Sequence, residues 1–473
     1  MINKTKIIAT IGPKSSSKEM LKSMMENGMN IARINFSHGE HSQHLEVIKT
    51  IRELNKETNR HVGILADLQG PKIRLGDMKD GDFLINDGDE FEITTEDCNG
   101  DKSCAHITYP TFPQDVSAGD KILINDGKLV LEAVSSNGTT SVKTKVIHGG
   151  LVESRKGVNL PNTKISMPSL TEKDRHDLAF ILENNIEWIG LSFVRSAEDL
   201  IELRHLVANA GKTSRLIAKI EKPEAVRDLD SIIREADGVM VARGDLGVEV
   251  PMEQVPVIQK MIVKKCLNHC KPVIIATQMM ESMIENPQPS RAEVNDVANS
   301  VMDGADALML SGETSVGEHP DQVITAMHSI INYIESYEDI YYRKLLPQER
   351  KDRIISDAIC ENSVHLSQKT GAVGIVTMTN SGYTAYRIGS YRPKTHIFVF
   401  TDNRALLNTL SLAWGVEGFY YDKYVSTDHT IADIMYKLKK EGFVSEGDLL
   451  INIASMPISD KGQSNMLKLS EVD

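Results

Sequence analysis

Lys219 and Glu221 flank a single isoleucine at the end of an apolar run, and Arg243, Gly244 and Asp245 follow the next such run. Arg33, Asn35, Ser37 and His38 close an earlier run, and Asp67, Lys72 and Arg74 close another. Thr277 and Gln278, then Ser311 and Glu313, follow two more. Glu221 and Asp245, on neighbouring strands, can bring two carboxylates together. Hard oxygen ligands with positions left open for water and substrate suit Mg²⁺ or Mn²⁺. Lys219 and Arg33 place fixed cations beside that pair. Such a set can hold a phosphoryl group and stabilise charge on its oxygens during transfer. Solvated carboxylates or capping residues would explain any one of these positions, Ser311 and Gln278 most easily, but they explain the whole ring poorly. No Gly-x4-Gly-Lys-Ser/Thr and no Gly-x-Gly-x-x-Gly occurs, so a nucleotide would be held without those loops.

The positioning elements follow from periodicity. Short apolar strands are expected at Lys6–Gly12, Asn30–Phe36, His61–Asp67, Trp188–Phe193, Leu216–Ile220, Gly238–Ala242, Pro272–Ala276 and Ala307–Leu310. Amphipathic helical patterns lie between them at Lys18–Asn27, Ser42–Thr58, Glu172–Glu183, Ala197–Ala210, Val226–Ala236, Val255–His269 and Ala292–Met302, and Pro320–Ser336 follows. Strands joined by crossover helices want a parallel sheet, and eight such units close into a (β/α)8 TIM barrel whose site lies at the C-terminal strand ends. From Pro71 to Met167 the helical pattern gives way to alternation and to the turns Asn86-Asp87-Gly88, Asn125-Asp126-Gly127 and Ser136-Asn137-Gly138. This predicts a small inserted β-barrel domain, placed on the active face and able to act as a lid. After the charged stretch Gln348–Arg353 come a helix (Ile354–Lys369) and strands at Ala372–Thr377, His396–Thr401 and Asp448–Ile453, an α/β domain. The expected division is barrel over 1–70 and 168–344, lid over 71–167 and C-terminal domain over 345–473. No further domain is expected after it.

Composition narrows the function classes. Hydrophobic residues make up 41% and charged residues 25%, ordinary for a globular enzyme. A net charge of -13 disfavours a nucleic-acid or anionic-membrane surface, so phosphate binding must rest on local cations. Five scattered cysteines, an odd count, argue for a reducing compartment. Cys266, His269 and Cys270 lie close in a helical stretch but lack a second ligand pair for zinc. No signal peptide and no membrane span is expected, which points to the cytoplasm.

Longer motifs then carry a resemblance. Ala32–Gly39 (ARINFSHG), Ala218–Glu221 (AKIE), Met240–Gly247 (MVARGDLG), Ala276–Met283 (ATQMMESM), Pro289–Val294 (PSRAEV) and Met309–Thr314 (MLSGET) closely resemble pyruvate kinases, in the family's order. The resemblance implies phosphoryl transfer from phosphoenolpyruvate to ADP in glycolysis. It casts Glu221 and Asp245 as Mg²⁺ ligands, Lys219 as the bridge to the transferring group and Arg33 as its phosphate holder. Gly244, Asp245 and Thr277 resemble the carboxylate seat, with Ser311 beside the proton path. Asn35, His38, Arg74 and Lys156 resemble nucleotide contacts. A homotetramer is also implied, as is an effector-phosphate loop at Thr379, Asn380, Ser381, Gly382, Tyr383 and Thr384. The segment Ser455–Gly462 departs from forms associated with fructose 1,6-bisphosphate, leaving the effector open.

Asn35, Ser37, Asp67 and the Leu68 carbonyl match the family's monovalent-cation site. Lys72, with Leu68, Gln69 and Leu75, resembles the group that needs no K⁺. A tethered ammonium can replace the ion's charge, since unit charges about 5 Å apart interact by roughly 3 kcal/mol at an effective dielectric near 20. A solvated lysine at the lid hinge is the plainer alternative. Two other functions compete: a barrel aldolase or lyase acting on pyruvate, and a phosphometabolite sensor without catalysis. Borohydride trapping would expose a Schiff-base aldolase. ATP formation from phosphoenolpyruvate and ADP would exclude the sensor.

Overall fold

The computed structural model describes residues 3–79, 81–161, 163–346, 352–423, 426–456 and 462–473. Eight parallel strands, Lys6–Thr10, Ile31–Asn35, Gly63–Asp67, Trp188–Leu191, Arg215–Ile220, Gly238–Ala242, Val273–Ala276 and Ala307–Leu310, close into a barrel in chain order. Nearly every residue of these strands is buried, because helices cover the outside and side chains fill the inside. Ile8, Ile31, Leu65, Trp188, Ile217, Met240 and Ile274 pack the interior, and Leu412 joins them from the C-terminal domain.

Capping explains where several barrel helices start. The Ser17 hydroxyl accepts from Met20 N–H before Lys18–Glu26. Thr171 with Asp174, and Ser290 with Glu293, form reciprocal capping boxes before Glu172–Glu183 and Arg291–Asp303. The single helix expected over Val226–Ala236 is two, Pro223–Arg227 and Leu229–Glu235. Asp228 separates them and uses its carboxylate to accept Ala197 N–H (3.0 Å). A side chain committed to the neighbouring unit lets the chain turn where the apolar period runs on.

The insertion has its own core around Phe91, Ile93, Tyr109, Phe112, Ile122 and Leu131. Its six-stranded sheet runs in the order Val158–Asn159, Lys121–Ile124, Leu129–Ser136, Ser141–His148, Glu90–Thr94, Cys104–His106. The two outer edges meet through one segment: Arg74 bridges to Gly157 and Leu75 to Ile107. Of the three expected turns, those at Asn125–Gly127 and Ser136–Gly138 join hairpin partners. The turn at Asn86–Gly88 instead links Phe83–Ile85, paired with Gly150–Val152, to the larger sheet.

The C-terminal sheet runs Val416–Tyr420, His396–Thr401, Gly374–Met378, Leu449–Ala454, Met466–Glu471, parallel except for the last pair. It seats on the floor of the barrel: Trp188 Nε1 donates to Thr409 O (3.2 Å), Arg215 to Ser381 O (2.7 Å) and Asn408 Nδ2 to Glu187 Oε1 (3.1 Å). Among the described residues, no helix is long and apolar enough to cross a membrane.

Candidate active site

The C-terminal ends of strands two, three, four and five converge on one buried ion cluster. Arg33 grips Asp67 Oδ2 through Nε (2.8 Å) and Nη2 (2.6 Å), and its Nη1 donates to Thr10 Oγ1 (2.9 Å). Lys219 reaches Asp67 Oδ1 at 3.1 Å and Glu221 Oε1 at 3.0 Å, and donates to Ser192 Oγ at 2.6 Å. Ser192 Oγ donates onward to Leu68 O (2.7 Å). Asp67 thus stands between the two cations that the sequence proposed as phosphate holders. Burial raises the Asp67 carboxyl's pKa, yet Lys219 and Arg33 outweigh it and hold the group below its ordinary range. Burial likewise pulls Lys219 down, and Asp67 with Glu221 overcomes this and keeps the ammonium charged. A charged Lys219 ammonium is poorly suited to Schiff-base chemistry.

Glu221 behaves differently. Burial pushes its carboxyl up, Lys219 opposes this, and the charge of Asp245 adds to the rise. Phe193 N–H donates to Glu221 Oε2 (2.7 Å), with Phe193 held at φ +54° to present it. Two carboxylates close enough to repel each other, one buried and one on the more open helix Arg243–Glu249, suit a divalent cation. Among the described residues no group of three or more His, Cys, Asp or Glu side chains could hold a metal. Two carboxylates alone would leave the other positions of such a cation to water and substrate. Cys266 is buried, and the Cys270 thiol accepts from Arg387 Nη1 (3.0 Å), so the helix-end cysteines do not gather a zinc site.

The backbone of the expected carboxylate seat is strained. Thr277 and Gln278 both adopt positive φ, +69° and +54°. Arg243 clamps this turn by donating to Thr277 O (2.7 Å), and is itself held by Asp296 (2.7 Å). The Thr277 hydroxyl accepts from Gly244 N–H (2.8 Å) and donates to Ala276 O (2.6 Å). Gly244 has no side chain to cover it; a Cβ there would lie 3.4 Å from Thr277 Oγ1. Ser311 is fixed through its N–H, which Glu313 Oε2 accepts (2.6 Å).

The residues expected at the nucleotide divide between barrel and lid. A groove of about 760 Å³ is lined by Gly12, Pro13, Asn35, His38, Gln43, His44 and Val47, among others. The Asn35 side chain accepts Ser37 N–H (3.1 Å). Arg74 Nη1 donates to Arg155 O (3.1 Å), and Lys156 pairs with Glu153 (3.2 Å) on the lid. Asn159 Nδ2 bonds Glu249 Oε1 (2.8 Å), as does Lys222 Nζ (2.6 Å), tying lid to barrel. Lys72 is exposed and lines a small cleft with Asp245, Lys222 and Asn159. Its charge reaches His38, whose pKa is lowered by burial first and then by Lys72, Arg74 and Arg33. Asn35, Ser37, Asp67 and Leu68 do come together, but Asp67 is bonded to Arg33 and Lys219, and Leu68 O to Ser192.

In the C-terminal domain, Gly382 N–H donates to Thr379 Oγ1 (3.0 Å) and Tyr383 N–H to Ser381 Oγ (3.4 Å), leading into helix Tyr383–Ser390. Thr384 Oγ1 bonds Thr377 Oγ1 (2.9 Å), and the Tyr383 hydroxyl turns to Asp357 (2.5 Å). Asn380 is exposed beside them. Of the segment Ser455–Gly462, Pro457–Lys461 lies outside the described residues, as does most of the charged stretch before the domain. Sequence reasoning did not find Ser192, Thr10 or Glu249.

Comparisons with known proteins agree over the whole chain. The family models for the pyruvate kinase barrel domain and the pyruvate kinase alpha/beta domain match residues 2–324 and 357–470. The pyruvate kinase of Geobacillus stearothermophilus is 42% identical over 473 residues, covering 99% of this chain and 80% of that protein. That of Corynebacterium glutamicum is 41% identical over 467 residues, covering 99% and 97%. A crystal structure of a pyruvate kinase from Cryptosporidium parvum superposes with a TM-score of 0.93 at 34% identity, covering 100% of this chain and 96% of that one. With barrel, inserted lid and C-terminal domain matched in order, and a buried lysine–arginine–carboxylate cluster at the barrel mouth, the chain belongs to the pyruvate kinase family.

Proposed function

We propose that Lys219 and Arg33 hold the phosphoryl group of phosphoenolpyruvate while ADP attacks it, and that Glu221 and Asp245 complete the site. The observation that carries this reading is the Lys219 ammonium, buried and fixed by Asp67, Glu221 and Ser192 at the mouth of the barrel. A cation preorganised in this way needs no rearrangement as charge develops on the transferring oxygens. Arg33, anchored by Asp67 and Thr10, supports the same group from the adjoining strand end. The Thr277 hydroxyl and the backbone at Gly244 and Asp245 orient the substrate carboxylate. Glu221 and Asp245 would hold Mg²⁺ or Mn²⁺, which when bound supplies positive charge to phosphoryl and enolate oxygens. The nucleotide lies toward Asn35 and His38, with Arg74 and Lys156 closing from the lid side and excluding water. Protonation of the enolate is assigned to the polar region near Thr277 and Ser311.

Three further readings belong to the same proposal. The ammonium of Lys72 takes the place of K⁺; its reach to His38 supports this, and closing the lid would bring it inward. The Thr379–Thr384 turn takes an effector phosphate, which would replace the internal bonds from Gly382 and Tyr383 N–H groups. The chain works as a cytoplasmic homotetramer. A coupled assay for ATP from phosphoenolpyruvate, ADP and Mg²⁺ tests the core of the proposal. Asp245→Ala should lower its rate by about 10²–10³ or more with the fold retained. Near-normal turnover in that variant overturns the metal assignment.

A further inference from the structure

At the end of the barrel away from the phosphoryl cluster, a cleft of about 490 Å³ opens between the barrel floor and the C-terminal domain. From the barrel, Arg204 lines it on helix Ala197–Asn209 and Lys212 in the loop that follows. Arg215 lines it at the first position of strand Arg215–Ile220, and Lys271 just ahead of strand Val273–Ala276. From the C-terminal domain come Arg353, at the start of helix Ile354–Thr370, with Ser381 and Tyr383. Phosphoryl transfer does not use these cations, because the reacting groups of such a barrel stand at the C-terminal strand ends.

A joint built for stability alone would set carboxylates against its cations. Among the described residues lining the cleft, Asp237 is the one carboxylate. Its Oδ2 is already divided between Arg204 Nη2 (3.1 Å) and Leu216 N–H (2.9 Å). Lys212 and Arg215 are held by neutral acceptors instead, Asn185 Oδ1 (2.8 Å) and Ser381 O (2.7 Å). The Arg215 guanidinium also lies over the Tyr386 ring (5.0 Å), and that of Arg353 over Tyr383 (4.3 Å). These contacts orient the guanidinium groups without neutralising them. Like charges gathered in this way repel, and an anion among them removes the cost. In a chain of net charge -13 such a pocket of positive charge is a local exception that attracts a dianion.

We propose that this cleft binds the phosphate monoester of a small hydroxylated molecule, a sugar phosphate, and so clamps the C-terminal domain to the barrel floor. The phosphate draws on Arg204 and Lys212 from the barrel and on Arg353 from the facing domain; guanidinium forks match phosphate oxygens in pairs. Thr213, Ser214 and Ser381 bring hydroxyls for the sugar. Ser214 Oγ donates to Ile186 O (2.6 Å) and Ser381 Oγ accepts from Tyr383 N–H (3.4 Å), so each keeps hydrogen-bonding capacity. A nucleobase is the poorer fit, since a guanidinium already covers one face of each tyrosine ring in the cleft. The volume lies in the range of small-molecule sites. The site shares an edge with the Thr379–Thr384 turn but takes its cations chiefly from the barrel, and it does not rest on the effector reading of that turn.

Glucose 6-phosphate is titrated calorimetrically into the full-length protein, with saturating phosphoenolpyruvate present to fill the catalytic site. Glucose and inorganic phosphate are titrated in parallel. Glucose 6-phosphate should bind, inorganic phosphate more weakly, and glucose not at all. Lys212→Gln and Arg353→Gln should each weaken glucose 6-phosphate about tenfold or more, the usual effect of losing a hydrogen bond to a charged group. Thr379→Val should leave it unchanged. In the unmodified protein, amide hydrogen exchange at residues 212–216 and 381–383 should slow when glucose 6-phosphate is added. No binding, binding that ignores both cation substitutions, or protection confined to other segments overturns the site. Loss in Thr379→Val with Lys212→Gln unaffected moves the ligand to the turn and overturns the cleft. Inorganic phosphate binding as tightly as glucose 6-phosphate would keep the anion site and overturn the sugar.

Discussion

Asp67→Asn removes the negative charge that Arg33 and Lys219 share. In the folded protein this carboxylate is 1% exposed, with Arg33 at 9% and Lys219 at 8%. The amide keeps a similar shape and one acceptor but leaves two buried cations facing each other. Lys219 retains Glu221 at 3.0 Å and Ser192, whereas Arg33 is left with the neutral Thr10 hydroxyl. Removing one member of a buried ion pair costs roughly 3–5 kcal/mol. For a domain of about 150–250 residues each kcal/mol shifts Tm by about 2–4 °C, so a fall of roughly 6–20 °C is expected. Calorimetry of the barrel transition measures it. The pH dependence gives a second reading. The folded Asp67 pKa lies below its ordinary 3.8, so its contribution is present above that value and is lost as pH falls through the folded one. The gap between wild type and variant should be constant near neutrality and shrink on acidification. An anion such as phosphoenolpyruvate should also raise the variant's Tm more than the wild type's. An unchanged Tm, or a gap that widens in acid, refutes the idea that Asp67 compensates both cations.

Lys219→Met should lower kcat by about 10²–10³ while binding of ADP alone, followed by calorimetric titration, is kept. The unmodified enzyme should work equally well in KCl and in tetramethylammonium chloride at matched ionic strength, and Lys72→Glu should make it depend on K⁺. Strong K⁺ activation of the unmodified enzyme would mean that Lys72 points elsewhere. At least one of fructose 1,6-bisphosphate, a sugar monophosphate or a nucleotide should shift the phosphoenolpyruvate saturation curve. A flat response to all of them returns Thr379–Thr384 to a capped turn.

Much of this architecture is written locally. The Gly238–Ala242 and Ala307–Leu310 strands are legible to the residue because each is a short apolar run between turn signals, buried on both faces. Val416–Tyr420 and Met466–Glu471 are not, because the last is an edge strand with an exposed face and the other mixes Glu and Gly into its run. The site divides similarly. Lys219, Glu221 and Asp245 stand out as charges at the ends of apolar strands. Ser192 is a small hydroxyl after a fourth strand, and its meaning appears only when Lys219, Asp67 and Leu68 are brought around it. Positive φ at the non-glycine residues Thr277 and Gln278 is equally silent in sequence, since the Arg243 side chain that bonds this turn comes from the helix after another strand.

Leu412 fills the floor of the barrel together with Ile8, Ile31 and Leu65. During synthesis the ribosome has therefore delivered all eight strands long before the residue that closes them emerges. Until then, Trp188 lacks its Thr409 acceptor and the apolar floor stays open to solvent. A nascent barrel of this design must wait, sticky at one end, for about a fifth of the polypeptide still to come, which makes the interval between Leu310 and Leu412 a natural window for chaperone engagement.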